Sequence, residues 1–170
     1  MNITPQILIV NHARGRRSGF AVDLIVIHVT EGDAASVVSW FSNPTADVSA
    51  HYMIRKDGVI VQFVDEEDTA WHAGRVVNPT AKLVIERHGW NPNGYSIGIE
   101  HEGDGHHELT EEQRASSVAL IRDICARRSI PIDRRHIVGH HEIFSPKTCP
   151  GVIDVDALVR SAAVPPANAS

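Results

Sequence analysis

The run Leu24-Ile25-Val26-Ile27-His28-Val29 constrains this chain more than any other stretch. It has strand length and no polar alternation, the pattern of a central strand buried on both faces, which demands a packed layer on each side of its sheet. Thr30-Glu31-Gly32 ends it, and Asp33 is placed to cap a helix to about Ser42 that turns Val37, Val38 and Phe41 to one side and stops at Asn43-Pro44. Residues 48–55 and 59–64 flank Lys56-Asp57-Gly58, a hairpin signal. Residues 65–94 are the least regular part, with one short helix expected near 81–87, and a long irregular segment of this kind is commonly functional. Residues 95–101 resume a strand. Thr110-Glu111-Glu112-Gln113 is a capping box opening a helix to about Arg128, whose inner stripe should hold Val118, Ile121 and Cys125. Ile137-Val138 is a short strand and residues 154–162 a last helix. Interleaved strands and helices predict an α/β fold, a single domain with a central mixed β-sheet flanked by helices. Residues 1–163 are expected to form that domain and 164–170 a tail or linker stub.

At 170 residues the chain can bury a full core without staples. Its net charge of −5 argues against nucleic acid as a partner, since such binders carry a basic balance or stripe. Cys125 falls within a helical apolar pattern and reads as a small core residue, so the two cysteines do not suggest a disulfide-built fold. The N-terminal apolar run, Ile7-Leu8-Ile9-Val10, is too short for a signal peptide and no run approaches membrane-spanning length. The expectation is a monomer with no membrane partner, made in the cytoplasm.

The densest chemistry lies in Gly139-His140-His141-Glu142-Ile143-Phe144-Ser145-Pro146-Lys147-Thr148-Cys149-Pro150-Gly151. The two prolines exclude regular helix and suggest an extended Lys147-Thr148-Cys149 segment, in which Lys147 and Cys149 face the same cavity. A thiolate, an ammonium and a histidine in one loop suit a metal-assisted hydrolase. A catalytic zinc usually has three protein ligands and one open position. His140 and Cys149 would supply two of them, and His28, near the end of the apolar strand, fits as the third. An unpartnered imidazole in so apolar a strand would be costly.

Five blocks in order carry a resemblance. They are Leu24-Ile25-Val26-Ile27-His28-Val29-Thr30-Glu31-Gly32, Val48-Ser49-Ala50-His51-Tyr52, Ala70-Trp71-His72-Ala73-Gly74, Ser96-Ile97-Gly98-Ile99-Glu100, and Gly139-His140 with Lys147-Thr148-Cys149-Pro150-Gly151. Together they resemble the zinc-dependent N-acetylmuramoyl-L-alanine amidases of type 2, relatives of the peptidoglycan recognition proteins and phage lysozyme-type amidases. The resemblance implies Zn²⁺ held by His28, His140 and Cys149, with Glu100 and Lys147 catalytic. Glu100 would take the proton of a water and pass it to the leaving amine, and Lys147 would stabilise the oxyanion. Read alone, Glu100 could equally be an exposed strand carboxylate, and Lys147 a solvated loop lysine. Trp71 and His72, with His51 and Asn93 as weaker candidates, would touch a peptidoglycan or muropeptide substrate.

Three readings follow. The first is hydrolysis of the amide joining N-acetylmuramic acid to L-alanine, acting on the cell wall after release. The second is a peptidoglycan recognition module that does not cut. The third makes Cys149 the nucleophile of a Cys-His hydrolase. The second motif of the same spelling, Gly105-His106-His107-Glu108, has no lysine or cysteine after it and reads as a solvated turn, and His141 should point away from His140.

Overall fold

β3 (Leu24–Val29) runs through the interior with every residue buried, as its apolarity demands. The computed structural model describes residues 3, 4, 7, 9–16 and 18–165. β3 lies between β7 (Ser96–His101) and β8 (Ile137–Gly139), parallel to both. β4 (Tyr52–Ile54) continues the sheet parallel to β7. β5 (Ile60–Gln62) then folds back antiparallel on β4 through the expected hairpin, and β1 (Ile3–Thr4) closes the edge parallel to β5. The result is a mixed six-stranded sheet in the order β1-β5-β4-β7-β3-β8. A separate antiparallel pair joins β2 (His12–Ala13) to β6 (Thr69–Ala70) inside the irregular region.

Side-chain alternation along β3 divides the core. Ile25, Ile27 and Val29 face α3 (Glu111–Arg128) and α4 (Val155–Ala163), packing on Leu120, Ile121, Ile124 and Leu158. Leu24 and Val26 face the other way, toward α2 (Lys82–Glu86), where they meet Leu83, Val84 and Tyr95. On that same side, Val37 and Phe41 of α1 (Ala34–Ser42) cover Met53 and Phe63. Fully buried aliphatics of this kind contribute about 1.5–3 kcal/mol each. Among the described residues, no helix is long and apolar enough to cross a membrane.

The caps sit where the side chains require them. Asp33 accepts from Ser36 N–H, and Thr110 and Gln113 close a reciprocal capping box. The inner stripe of α3 holds Ile121 and Cys125 as expected, together with Ser117, Leu120 and Ile124, while Val118 lies at the margin, only partly buried, so the buried face is turned slightly from the expected one. Polar contacts set that rotation: Ser117 Oγ meets His101 Nε2 at 2.9 Å, and Gln113 Nε2 donates to the Ile54 and Glu102 carbonyls. Val164 is exposed, and residues 166–170 of the expected tail lie outside the described residues.

One ion cluster ties α3 to the sheet edge. The buried Glu66 carboxylate accepts from Tyr52 Oη at 2.8 Å, from both nitrogens of the Arg127 fork at 2.8 Å, and from Arg128 Nε at 2.9 Å. Burial alone would raise its pKa, but hydrogen bonds from Arg127, Tyr52 and Arg128 win and bring it down to about 2 from 4.5. A carboxylate whose pKa falls on folding adds stability above its unfolded pKa and loses it as pH drops through the folded value. Glu66→Gln is therefore expected to cost roughly 2–3 kcal/mol in urea unfolding at pH 7. That deficit should shrink below pH 4.5 and be gone near pH 2; a deficit that stays constant across that range would refute the assignment.

Candidate active site

The register of three parallel strands builds the site. His28 pairs with Glu100 across β3 and β7. Val26 pairs with Val138 across β3 and β8, so alternation sends His140, just past the end of β8, to the same face. Side chains from three strand ends thus meet at the carboxyl edge of the parallel sheet, the customary ligand position in open α/β folds. The loop after β8 then brings Cys149 beneath them.

The ligand atoms of His28, His140 and Cys149 lie within 4.8 Å of one another, and all three residues are buried. Cys149 Sγ is 3.7 Å from His28 Nδ1, and Glu100 Oε1 is 4.0 Å from the same nitrogen. Hydrogen bonds fix which nitrogen each ring offers. Ser96 Oγ donates to the Pro92 carbonyl at 2.7 Å, so it accepts from His72 Nε2 at 3.2 Å. His72 Nδ1 is then an acceptor and takes the proton of His28 Nε2 at 3.1 Å. The lone pair of His28 is left on Nδ1, facing Cys149 and Glu100. In the same way His140 Nε2 donates to the Ala73 carbonyl at 3.2 Å, which only accepts, and its Nδ1 is left free. This is the outer support that metal-binding histidines need.

Electrostatics agree with a cation among these groups. Burial first, then the neighbouring His140 and His72, hold His28 well below the usual histidine range, so it is neutral at pH 7. Burial, reinforced by Glu100, pushes the Cys149 thiol up to about 12, and the Val29 N–H, donating to Sγ at 3.3 Å, only partly opposes this. Burial, with Glu31 adding to it and Lys147 opposing, pushes Glu100 up to about 8. Glu100 Oε2 is buried and hydrogen-bonds to none of the described residues, a costly state that points it toward a ligand.

Lys147 N–H bonds to the Phe144 carbonyl and Gly151 N–H to that of Thr148, so a turn closes on each side of the Lys147-Thr148 pair. Cys149 is buried, whereas Lys147 is exposed and makes no ion pair among the described residues. Its charge still acts on His28, His140, Cys149 and Glu100. Gly151 sits at φ +69° against Gly105, where a Cβ would come within 2.2 Å of the Gly105 carbonyl oxygen. The 105–108 turn therefore braces the cysteine loop while its histidines stay exposed. His141 is exposed as well.

Three of the four expected cleft contacts lie behind the site. His72, His51 and Asn93 are buried. His72 lies flat on β7, where only a glycine at 98 leaves room, since a Cβ there would meet its ring at 2.5 Å. His51 Nδ1 accepts from Gly98 N–H at 3.0 Å, and Asn93 Oδ1 accepts from His72 and Ala73 N–H. These polar groups serve the backbone because their segment folds under the sheet edge. Trp71 remains partly exposed. Sequence reading missed Arg16, whose guanidinium donates to the carbonyls of Glu66, Asn93 and Ser96. It also missed Trp40 and Glu31, which line a pocket of about 310 Å³ with Glu100. Glu31 holds a left-handed backbone at φ 54°, the kind of strained position that clusters at functional sites.

Known proteins resemble this chain in sequence and in fold. Over 109 residues the chain is 40% identical to N-acetylmuramoyl-L-alanine amidase A of Achromobacter lyticus, covering 62% of this chain and 52% of that protein. It is 37% identical over 106 residues to 1,6-anhydro-N-acetylmuramyl-L-alanine amidase AmpD of Escherichia coli K12, covering 61% and 52%. The chain thus spans about half the length of these curated relatives. The crystal structure of an AmpD derivative superposes with a TM-score of 0.74 at 27% identity, over 94% of this chain and 93% of that one. AmiD of E. coli, solved with anhydro-N-acetylmuramic acid-L-Ala-D-γ-Glu-L-Lys, superposes at 0.69 with 26% identity, over 86% and 60%. The N-acetylmuramoyl-L-alanine amidase family model matches residues 18–152, and the chain belongs to that family.

Proposed function

We propose that this chain is a zinc-dependent N-acetylmuramoyl-L-alanine amidase that hydrolyses the amide between N-acetylmuramic acid and L-alanine in peptidoglycan or its fragments. In this reading residues 1–163 are the catalytic domain and 164–170 a tail. It acts as a monomer on the cell wall. The observation that carries the reading is the buried convergence of His28, His140 and Cys149, with both imidazole Nδ1 lone pairs turned inward.

The donor set suits zinc: two neutral imidazoles and a sulfur, with a carboxylate alongside whose Oε2 has no hydrogen-bond partner among the described residues. When bound, Zn²⁺ supplies a positive charge that acidifies water and polarises the scissile carbonyl. The residues do the rest. Glu100 accepts a proton from water as its oxygen adds to the lactyl carbonyl carbon. It returns that proton to the amide nitrogen as the C–N bond breaks, leaving a muramic carboxylate and a free L-alanine amine. Lys147, exposed at the mouth, offsets the negative charge that builds on the carbonyl oxygen. His72 acts from behind, holding the tautomer of His28, and Asn93 and His51 hold the backbone around His72. Trp71, the one of the expected contacts with surface to spare, meets substrate. The uncut recognition role gains no support from Glu100 Oε2, buried without a hydrogen-bond partner among the described residues.

Three measurements test this. Stem peptides beginning in L-alanine should be released from purified peptidoglycan, should disappear after chelation and should return with Zn²⁺; activity indifferent to chelation would exclude the metal. Glu100→Gln should retain zinc and thermal stability yet lose at least about 10³-fold in kcat, and near-normal turnover would remove Glu100 from the chemistry. Cys149→Ser should lower zinc content and Tm together, because a metal bound only by the native state stabilises it. Full zinc occupancy in that variant would contradict its role as ligand.

A further inference from the structure

We propose that Arg16 is a positioning residue for both candidate metal-ligand histidines, clamping the one turn from which the hydrogen-bond chains to His28 and His140 start. The proposal rests on the reading of those two histidines as ligands. The local backbone aims Arg16 at that turn. β2 is paired with β6 just before it. Gly15 then has both of its backbone polar groups taken: its N–H donates to Asp68 Oδ1 at 2.7 Å, and its carbonyl accepts from Thr69 Oγ1 at 2.7 Å. Gly15 also holds a left-handed φ of 71°, which a glycine adopts without strain. Arg16, next in the chain, leaves the strand and reaches residues 93–96.

The guanidinium makes four hydrogen bonds to three backbone carbonyls. Nε and Nη2 converge on the Glu66 carbonyl at 2.9 and 2.6 Å, while Nη1 donates to those of Asn93 at 3.2 Å and Ser96 at 2.8 Å. Nη2 also stands 3.1 Å from His51 Nε2, a ring of neither chain. Burial lowers the Arg16 pKa to about 10, so it is still a cation at pH 7. Among the described residues no carboxylate forms an ion pair with it, and the Glu66 carboxylate is already held by Arg127, Arg128 and Tyr52. Withdrawing a charge from water onto neutral acceptors alone is costly, so what the fork contributes is placement. Two chains leave the clamped turn. Ser96, held by its carbonyl, accepts through Oγ from His72 Nε2, and His72 Nδ1 accepts from His28 Nε2. Asn93, also held by its carbonyl, accepts through Oδ1 from Ala73 N–H at 2.7 Å. The Ala73 carbonyl in turn accepts from His140 Nε2 at 3.2 Å. One planar fork therefore places both acceptors, and through them the direction of both Nδ1 lone pairs. A lysine keeps the charge and the apolar stem but cannot bridge three carbonyls.

Zinc affinity from chelator competition, with ¹H–¹⁵N spectra of the histidine rings in the zinc-loaded protein at neutral pH, tests this. In the wild type His28 and His140 should both carry a slowly exchanging proton on Nε2; a proton on Nδ1 of either ring would overturn the proposal without any variant. Arg16→Lys should shift the ring nitrogens of both histidines together and weaken zinc binding at least about tenfold. At saturating zinc it should lower kcat and leave KM nearly unchanged. Ser96→Ala should move His28 and spare His140, because it cuts one chain only. Glu66→Gln, the control for lost stability, should leave both rings and the zinc affinity as they are. Wild-type ring shifts in Arg16→Lys, an effect confined to one histidine, or an equal loss of zinc affinity in Glu66→Gln would each sink the positioning role. A wild-type protein that binds no zinc would instead remove the ligand reading beneath it. Ring shifts and zinc affinity need no turnover, so a coupled effect in a protein that releases no stem peptide would count against the amidase chemistry and leave Arg16 in its role.

Discussion

A chain of hydrogen bonds from the Pro92 carbonyl through Ser96 Oγ and His72 to His28 is the interaction on which the site depends. A neutral imidazole has one proton to place, and in a buried pair each ring decides the other's choice. The chain begins at a group that can only accept, so every later choice is forced, and the electron pair of His28 emerges on the side of Cys149. His140 reaches the same result in one step through the Ala73 carbonyl. Burial makes these choices costly to reverse, because the lowered pKa values of His28 and His72 keep a second proton off either ring.

The sheet supplies the other half of the design. Pairing β3 in parallel register with both β7 and β8 brings residues distant in sequence to one level of one face, with no loop needed to carry them there. Segments outside the main sheet then supply supports rather than ligands: Asn93 gathers two N–H groups, and Arg16 gathers carbonyls from three residues.

Much of this was legible in the residues. The apolar run 24–29 fixed the central strand, the Asp33 and Thr110 caps fixed the starts of two helices, and the hairpin turn lay where Lys56-Asp57-Gly58 put it. The resemblance to the amidase family named His28, His140 and Cys149 as one ligand set, and their ligand atoms do meet. What the residues hid was burial. His51, His72 and Asn93 are polar residues of types that line clefts, and nothing local says that a neighbouring strand will cover them. Trp40 and Trp90 were silent for the opposite reason: an aromatic is expected inside, and only the packed molecule reveals which ones stay out.

The close seating of Gly151 on Gly105 ties a turn without chemistry of its own to the sulfur two residues away. Because backbone touches backbone there, the bend at 104–108 works as a template against which the cysteine segment is cast. Grafting a longer or bulkier surface loop at that bend would thus reshape the cluster from outside, although no grafted residue came near it.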